Sequence, residues 1–167
     1  MEFQQNTENG RILALDLGKK RIGLALSDPL GISAQGLHTL QRTTIREDIA
    51  ALETLAREHD VKLVLLGHPL NMSGAEGRQA VYTRDFAERL RERTGLTVRF
   101  WDERLTSREA ERVLKQSGIS IEKRARAVDR LAAVILLASF LDSRGDTGEA
   151  MRDDAGEGAV DTAGDAA

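Results

Sequence analysis

The chain has 167 residues, 41% of them apolar, and a formal charge of -3, which suits one soluble domain with room for a sizeable core and gives no sign of a second. It has no cysteine, so disulfides and thiolate metal sites are excluded, zinc is disfavoured, and any metal must use oxygen or histidine ligands. Met1 to Gly10 lacks the pattern of a signal peptide, and the longest uncharged apolar run, Leu131 to Leu141, is too short to span a bilayer, so the cytoplasm is the expected location.

The charge is uneven. From Gly145 to Ala167 seven acidic residues face one basic residue, Arg152, a net of -6, which leaves +3 for residues 1–144. The expected organisation is a flexible N-terminus (1–10), one folded domain (11–144) and a disordered acidic tail (145–167), because the tail's Gly, Ala, Asp and Glu cannot bury enough apolar area to offset ordering entropy.

In chain order, Arg11 to Leu17 reads as a strand, Gly18-Lys19-Lys20 as a turn, and Arg21 to Ser27 as a second strand, so the chain opens as a β-hairpin. Leu37 to Leu40 adds a third strand. Thr44 and Glu47 form a capping box, and Ile45, Ile49, Leu52, Leu55 and Ala56 trace a helical stripe that ends near His59. Val61 to Leu66 is a strand stopped by Gly67 and Pro69, and the loop to Gly77 leads into a helix with the stripe Thr83, Phe86, Ala87, Leu90 and a glycine, Gly95, just beyond it. Thr97 to Asp102 is the fifth strand. Thr106 and Glu109 open a third helix with Ala110, Val113 and Leu114 inward, and after a basic loop (Lys123, Arg124, Arg126) a last helix carries Ala125, Val128, Ala132, Ile135, Leu136 and Ser139 on one side. The order β-β-β-α-β-α-β-α-α implies an α/β fold with a mixed five-stranded sheet and helices on both faces, and it matches the ribonuclease H-like arrangement.

Three carboxylates interrupt segments that otherwise read as core: Asp16 closing the first strand, Glu103 after Val98-Arg99-Phe100-Trp101-Asp102, and Asp129 in the last helix, four before Ala133, seven before Leu136 and eleven before Phe140. A desolvated carboxylate must be protonated, paired or metal-bound, and three that converge suggest a hard divalent cation and phosphoryl chemistry. Side chains alternate along a strand, so Asp102 and Glu103 face opposite ways, and Glu103 is the favoured metal ligand. Taken singly, each acid has a plainer reading: a turn cap, a strand-end solvated acid, or an ion pair with Arg126 or Arg130. Asp16-Leu17-Gly18 would also suit the phosphate hairpin of a sugar-kinase-like ATPase, although such enzymes duplicate the fold. A non-catalytic RNA-binding module is a further alternative.

Asp16 to Gly23 (DLGKKRIG), Gly67 to Gly74 (GHPLNMSG), Asp102 to Thr106 (DERLT) and Val128 to Ala133 (VDRLAA) together resemble the RuvX/YqgF family of bacterial nucleases over roughly residues 11 to 142, with His68 and Ser73 departing from the usual pattern. The resemblance implies a ribonuclease H-like fold, Asp16, Glu103 and Asp129 as catalytic carboxylates, and cleavage of structured nucleic acid: maturation of the 5′ end of 16S ribosomal RNA, or resolution of Holliday junctions. The expected mechanism is two-metal hydrolysis, with Asp16 bridging two Mg²⁺ or Mn²⁺ ions and Glu103 and Asp129 each completing one side. Precursor rRNA or branched DNA is the expected partner. Junction cutting would call for a homodimer, for which the sequence shows no obvious surface. Lys19, Lys20, Arg21, Asn71, Arg104 and Arg124 are the expected nucleic-acid contacts, since basic residues flank every acid. His68 reads as a surface histidine, and Trp101 and Tyr82 as packing residues.

Overall fold

In a computed structural model of the chain, residues 10–71, 73–104 and 131–144 are described. The opening hairpin is as the sequence predicts: β1 (Arg11–Leu17) pairs antiparallel with β2 (Arg21–Ser27), from Leu13 opposite Leu26 to Leu17 opposite Ile22. The third strand is not the single segment Leu37 to Leu40. It is split into β3 (Ala34–Gly36) and β4 (Leu40–Gln41), both paired with β2, so the sheet has six strands rather than five. Between the two paired stretches, Gly23 and Leu24 of β2 face three residues, Leu37, His38 and Thr39. The extra residue breaks the ladder as a bulge does, and only Leu37 returns a bond, its N–H donating to Leu24 O at 2.9 Å.

On the other side of β1 the pairing is parallel, first with β5 (Val61–His68) and then with β6 (Thr97–Asp102), giving the order β3-β2-β1-β5-β6. The expected stop of β5 at Gly67 is also corrected. Gly67 stays in register with Trp101 and His68 with Asp102, because the ladder to β6 outweighs glycine's weak preference for strand.

The alternation of β1 separates two cores. Leu13, Leu15 and Leu17 pack beneath α1 (Ile45–Glu58) and α2 (Arg78–Thr94), while Ile12 and Ala14, with Leu63 and Leu65 of β5, pack beneath the last described helix, α3 (131–144). The stripe expected on α2 is buried as written: Thr83, Phe86, Ala87 and Leu90. That of α3 is not. Its buried face is Ala133, Leu136, Leu137, Phe140 and Leu141, whereas Ala132, Ile135 and Ser139 lie at its margin. The helix is apolar nearly all round, so periodicity alone could not select the face. The Thr106 helix, the basic loop, Asp129, the N-terminal 1–9 and the tail 145–167 lie outside the described residues. Among the described residues no helix is long and apolar enough to cross a membrane.

Caps work as the sequence suggests. The Glu47 N–H donates to Thr44 Oγ1 at 3.2 Å at the start of α1, and Gly95 ends α2 with φ +69°. A contact that was not foreseen ties these layers to the hairpin. Arg42 donates to Gly18 O at 3.0 Å, to the buried Asp48 at 3.1 Å and to the Tyr82 hydroxyl, so one guanidinium joins the β1–β2 turn to α1 and α2.

Candidate active site

Asp16 continues the row Ile12, Ala14 and therefore points to the face covered by α3, opposite Gly23 of β2. The turn that follows it admits only glycine at position 18. Gly18 N–H donates to Arg21 O at 2.9 Å, and a Cβ there would lie 2.6 Å from that oxygen.

Glu103 follows the last residue of β6, and its N–H donates to His68 O at 3.2 Å. It shares the face of Trp101, which packs edge-on against Phe140 at 5.5 Å and donates to Ser139 Oγ at 3.2 Å. Between the two acids lies the buried Gly67, in β5. A Cβ on Gly67 would stand 2.8 Å from Glu103 Cγ and closer still to its Oε1, so the Glu103 side chain lies across the slot that this glycine leaves open. It reaches Asp16. Burial above all, then the hydrogen bond and negative charge of Asp16, then Asp102, push the Glu103 carboxyl up to about 8. At neutral pH Glu103 therefore carries a proton and donates it in a hydrogen bond to Asp16.

That shift has a consequence for stability. The folded chain holds the Glu103 proton more tightly than the unfolded one, so the contribution is full below the ordinary 4.5 and is lost as pH rises to about 8. Glu103→Gln keeps a donor to Asp16 but cannot ionise. Without divalent cations, the wild type is expected to lose up to roughly 4 kcal/mol relative to this variant between pH 5 and pH 8, measured by urea titration. Parallel stability curves would refute the proton-sharing pair.

Asp102 points the other way, as expected, and does other work. Arg104 donates to it through Nε at 2.8 Å and Nη2 at 2.6 Å, which holds the Asp102 carboxyl below the usual carboxylate range. Of the predicted nucleic-acid contacts, Lys19 and Lys20 are exposed on the turn. Arg21 is half-buried at the start of β2, and Arg104 is committed to Asp102. Asn71 is exposed in the loop after β5, where its N–H donates to Ala75 O at 2.9 Å. Arg124 and Asp129 lie outside the described residues. Among the described residues no three His, Asp or Glu side chains come together as a metal cluster, so Asp16 and Glu103 are the two candidate ligands that can be placed.

His68 departs from its expected surface position. Its ring stacks obliquely on Phe100 at 5.0 Å, and its Nε2 lies buried, 3.3 Å from Glu76 Oε1, with Glu76 also paired to Arg84. Arg42 and the role of Gly67 were the residues missed. Gly67 was visible only as a glycine between apolar strand and proline, which reads equally well as a stop.

With this geometry in place, the chain can be compared with known proteins. The family described as "RuvX: Holliday junction resolvase" matches residues 10–143. The chain belongs to that family. Relatives named "Putative pre-16S rRNA nuclease" include one from Koribacter versatilis, 52% identical over 137 residues (82% of this chain and 90% of the relative), and one from Syntrophomonas wolfei, 47% identical over 132 residues (79% and 94%). In fold, this RuvX family member is similar to Thermus thermophilus RuvC solved with a Holliday junction substrate, with a TM-score of 0.51 at 13% identity, covering 82% of this chain and 97% of that one. The fold class is thus α/β and ribonuclease H-like, as its strand and helix order implies.

Proposed function

We propose that this chain is a cytoplasmic metal-dependent nuclease that hydrolyses phosphodiester bonds of structured nucleic acid, in first place precursor 16S rRNA. The observation that carries the proposal is the Glu103 side chain lying over Gly67 onto Asp16 at the ends of β1 and β6. Two carboxyls so close must share a proton or a cation, and the pair fits a hard divalent ion such as Mg²⁺ or Mn²⁺ better than any single acid would. Asp16 and Glu103 would hold it, with Asp129 as the third ligand. When bound, such ions supply Lewis-acid polarisation of the phosphodiester and a water acidic enough to attack it. The chain's own part is to fix Asp16 in a strand whose following turn is braced by Arg42, to release the Glu103 proton, and to hold backbone phosphates with the exposed Lys19 and Lys20.

The names of the relatives support rRNA as the substrate. The family description supports a second reading, resolution of branched DNA, which would need paired copies of the chain.

Incubating the chain with a precursor rRNA fragment, a four-way DNA junction or ATP, with and without Mg²⁺ or Mn²⁺, tests these readings. Cation-dependent cleavage of the RNA is expected, without ATP turnover. The rate should rise with pH to a plateau reached at or below about 8, because the cation must displace the Glu103 proton. Intact nucleic acids, or ATP hydrolysis, would overturn the proposal.

A further inference from the structure

A recess among the described residues lies on the other side of the hairpin from Asp16. It encloses about 610 Å³ and is lined by Lys19, Lys20, Gln41, Arg42, Gln79 and Tyr82 among others, which is the size range of sites for small organic ligands. Three of these residues are cations, and no carboxylate is among the described residues that line it.

From this charge and placement we infer that the recess is a second nucleic-acid subsite, holding a nucleotide of the single strand that flanks the cut; the inference deepens the nuclease reading and rests on it. Lys19 and Lys20 are exposed and offer two point charges to phosphate. Arg42 is fixed by Asp48, Gly18 O and the Tyr82 hydroxyl, so it forms a rigid wall rather than a mobile arm. The exposed amides Gln41 and Gln79 can both donate and accept, which suits the edge of a base.

The helix that supplies Gln79 and Tyr82 adds to the field. α1 has a side-chain cap from Thr44 and the acids Glu47 and Asp48 in its first turn, whereas α2 starts at Gly77 with no side-chain cap and no acid in its first turn. Within its first turn α2 thus has no acid to offset its positive end beside the lysines.

Position decides which strand form fits. Tyr82 belongs to the α1–α2 face, and Asp16 to the α3 face, so a chain touching both must pass around the hairpin tip. A duplex, with a persistence length of about 50 nm, is too stiff for that path. A single strand is not.

The test is fluorescence anisotropy with labelled single-stranded RNA and DNA oligomers in chelator, comparing wild type with Gln79→Glu and Gln41→Glu. Each added carboxylate should weaken binding about tenfold at low salt and lower the salt slope by about one. Gln79→Glu should not lower the melting temperature, since an acid in the first turn of α2 favours the helix. Gln41→Glu gives an independent reading from the sheet edge. Wild-type affinity in both variants would overturn the inference. Binding is read without cation, so a chain that binds in this way yet never cuts would leave the subsite standing and remove the nuclease reading. A chain that cuts while both variants bind normally would do the reverse.

Discussion

Asp16→Asn is expected to abolish cation-dependent cleavage, by about a thousandfold or more, because loss even of a hydrogen-bond partner behind a metal ligand costs 10- to 100-fold and Asp16 would itself be the ligand. The fold should survive. Asparagine has the same shape, and Asp16 is half-exposed at the end of its buried row rather than inside it. Removing this charge also removes one of the causes that raise Glu103, so the Glu103 carboxyl should titrate lower in the variant, while burial still holds it above its ordinary value. Melting curves together with cleavage rates check both parts. An Asp16→Asn chain that cuts at the wild-type rate would dismiss the carboxylate assignment.

Gly67→Ala separates two physical effects of opposite sign. Gly67 sits in a strand interior and does not need a positive φ, so alanine should stabilise the chain by roughly 0.5–1 kcal/mol through lower backbone entropy in the unfolded state. Here the added Cβ would meet Glu103 Cγ at 2.8 Å and Oε1 closer still, far inside contact distance, so Glu103 must swing away from Asp16. The steric effect wins at the site. Cleavage should fall by about a hundredfold or more, since misplacing a catalytic group by about 1 Å is enough for such a loss. Stability need change little, because a displaced Glu103 escapes the burial that kept it protonated. The rate and the pH dependence of urea unfolding report on the two effects separately. Full activity in the Gly67→Ala variant would show that the Glu103 position over this glycine is immaterial to the chemistry.

Much of this site was legible in the order of residues. Asp16 and Glu103 each terminate an apolar strand, and the Asp102–Glu103 alternation correctly assigned opposite faces to the two acids: one bound to Arg104, the other to Asp16. The α2 stripe was equally plain, because four apolar or small residues at helical spacing stand among charged ones. The α3 face was ambiguous for the converse reason, a helix apolar nearly all round. The split of the third strand depended on a one-residue mismatch with β2, which no local pattern records.

Local properties of the chain, periodicity and carboxylates set in apolar runs, were enough to establish the kinds of element, their order, and which residue types would bear the chemistry. It took the folded arrangement to lay Glu103 on Asp16, to make Gly67 the gap between them, and to brace the turn with Arg42. Those facts follow from strand register between segments remote in the chain, where a slip of one residue would turn every side chain to the other face.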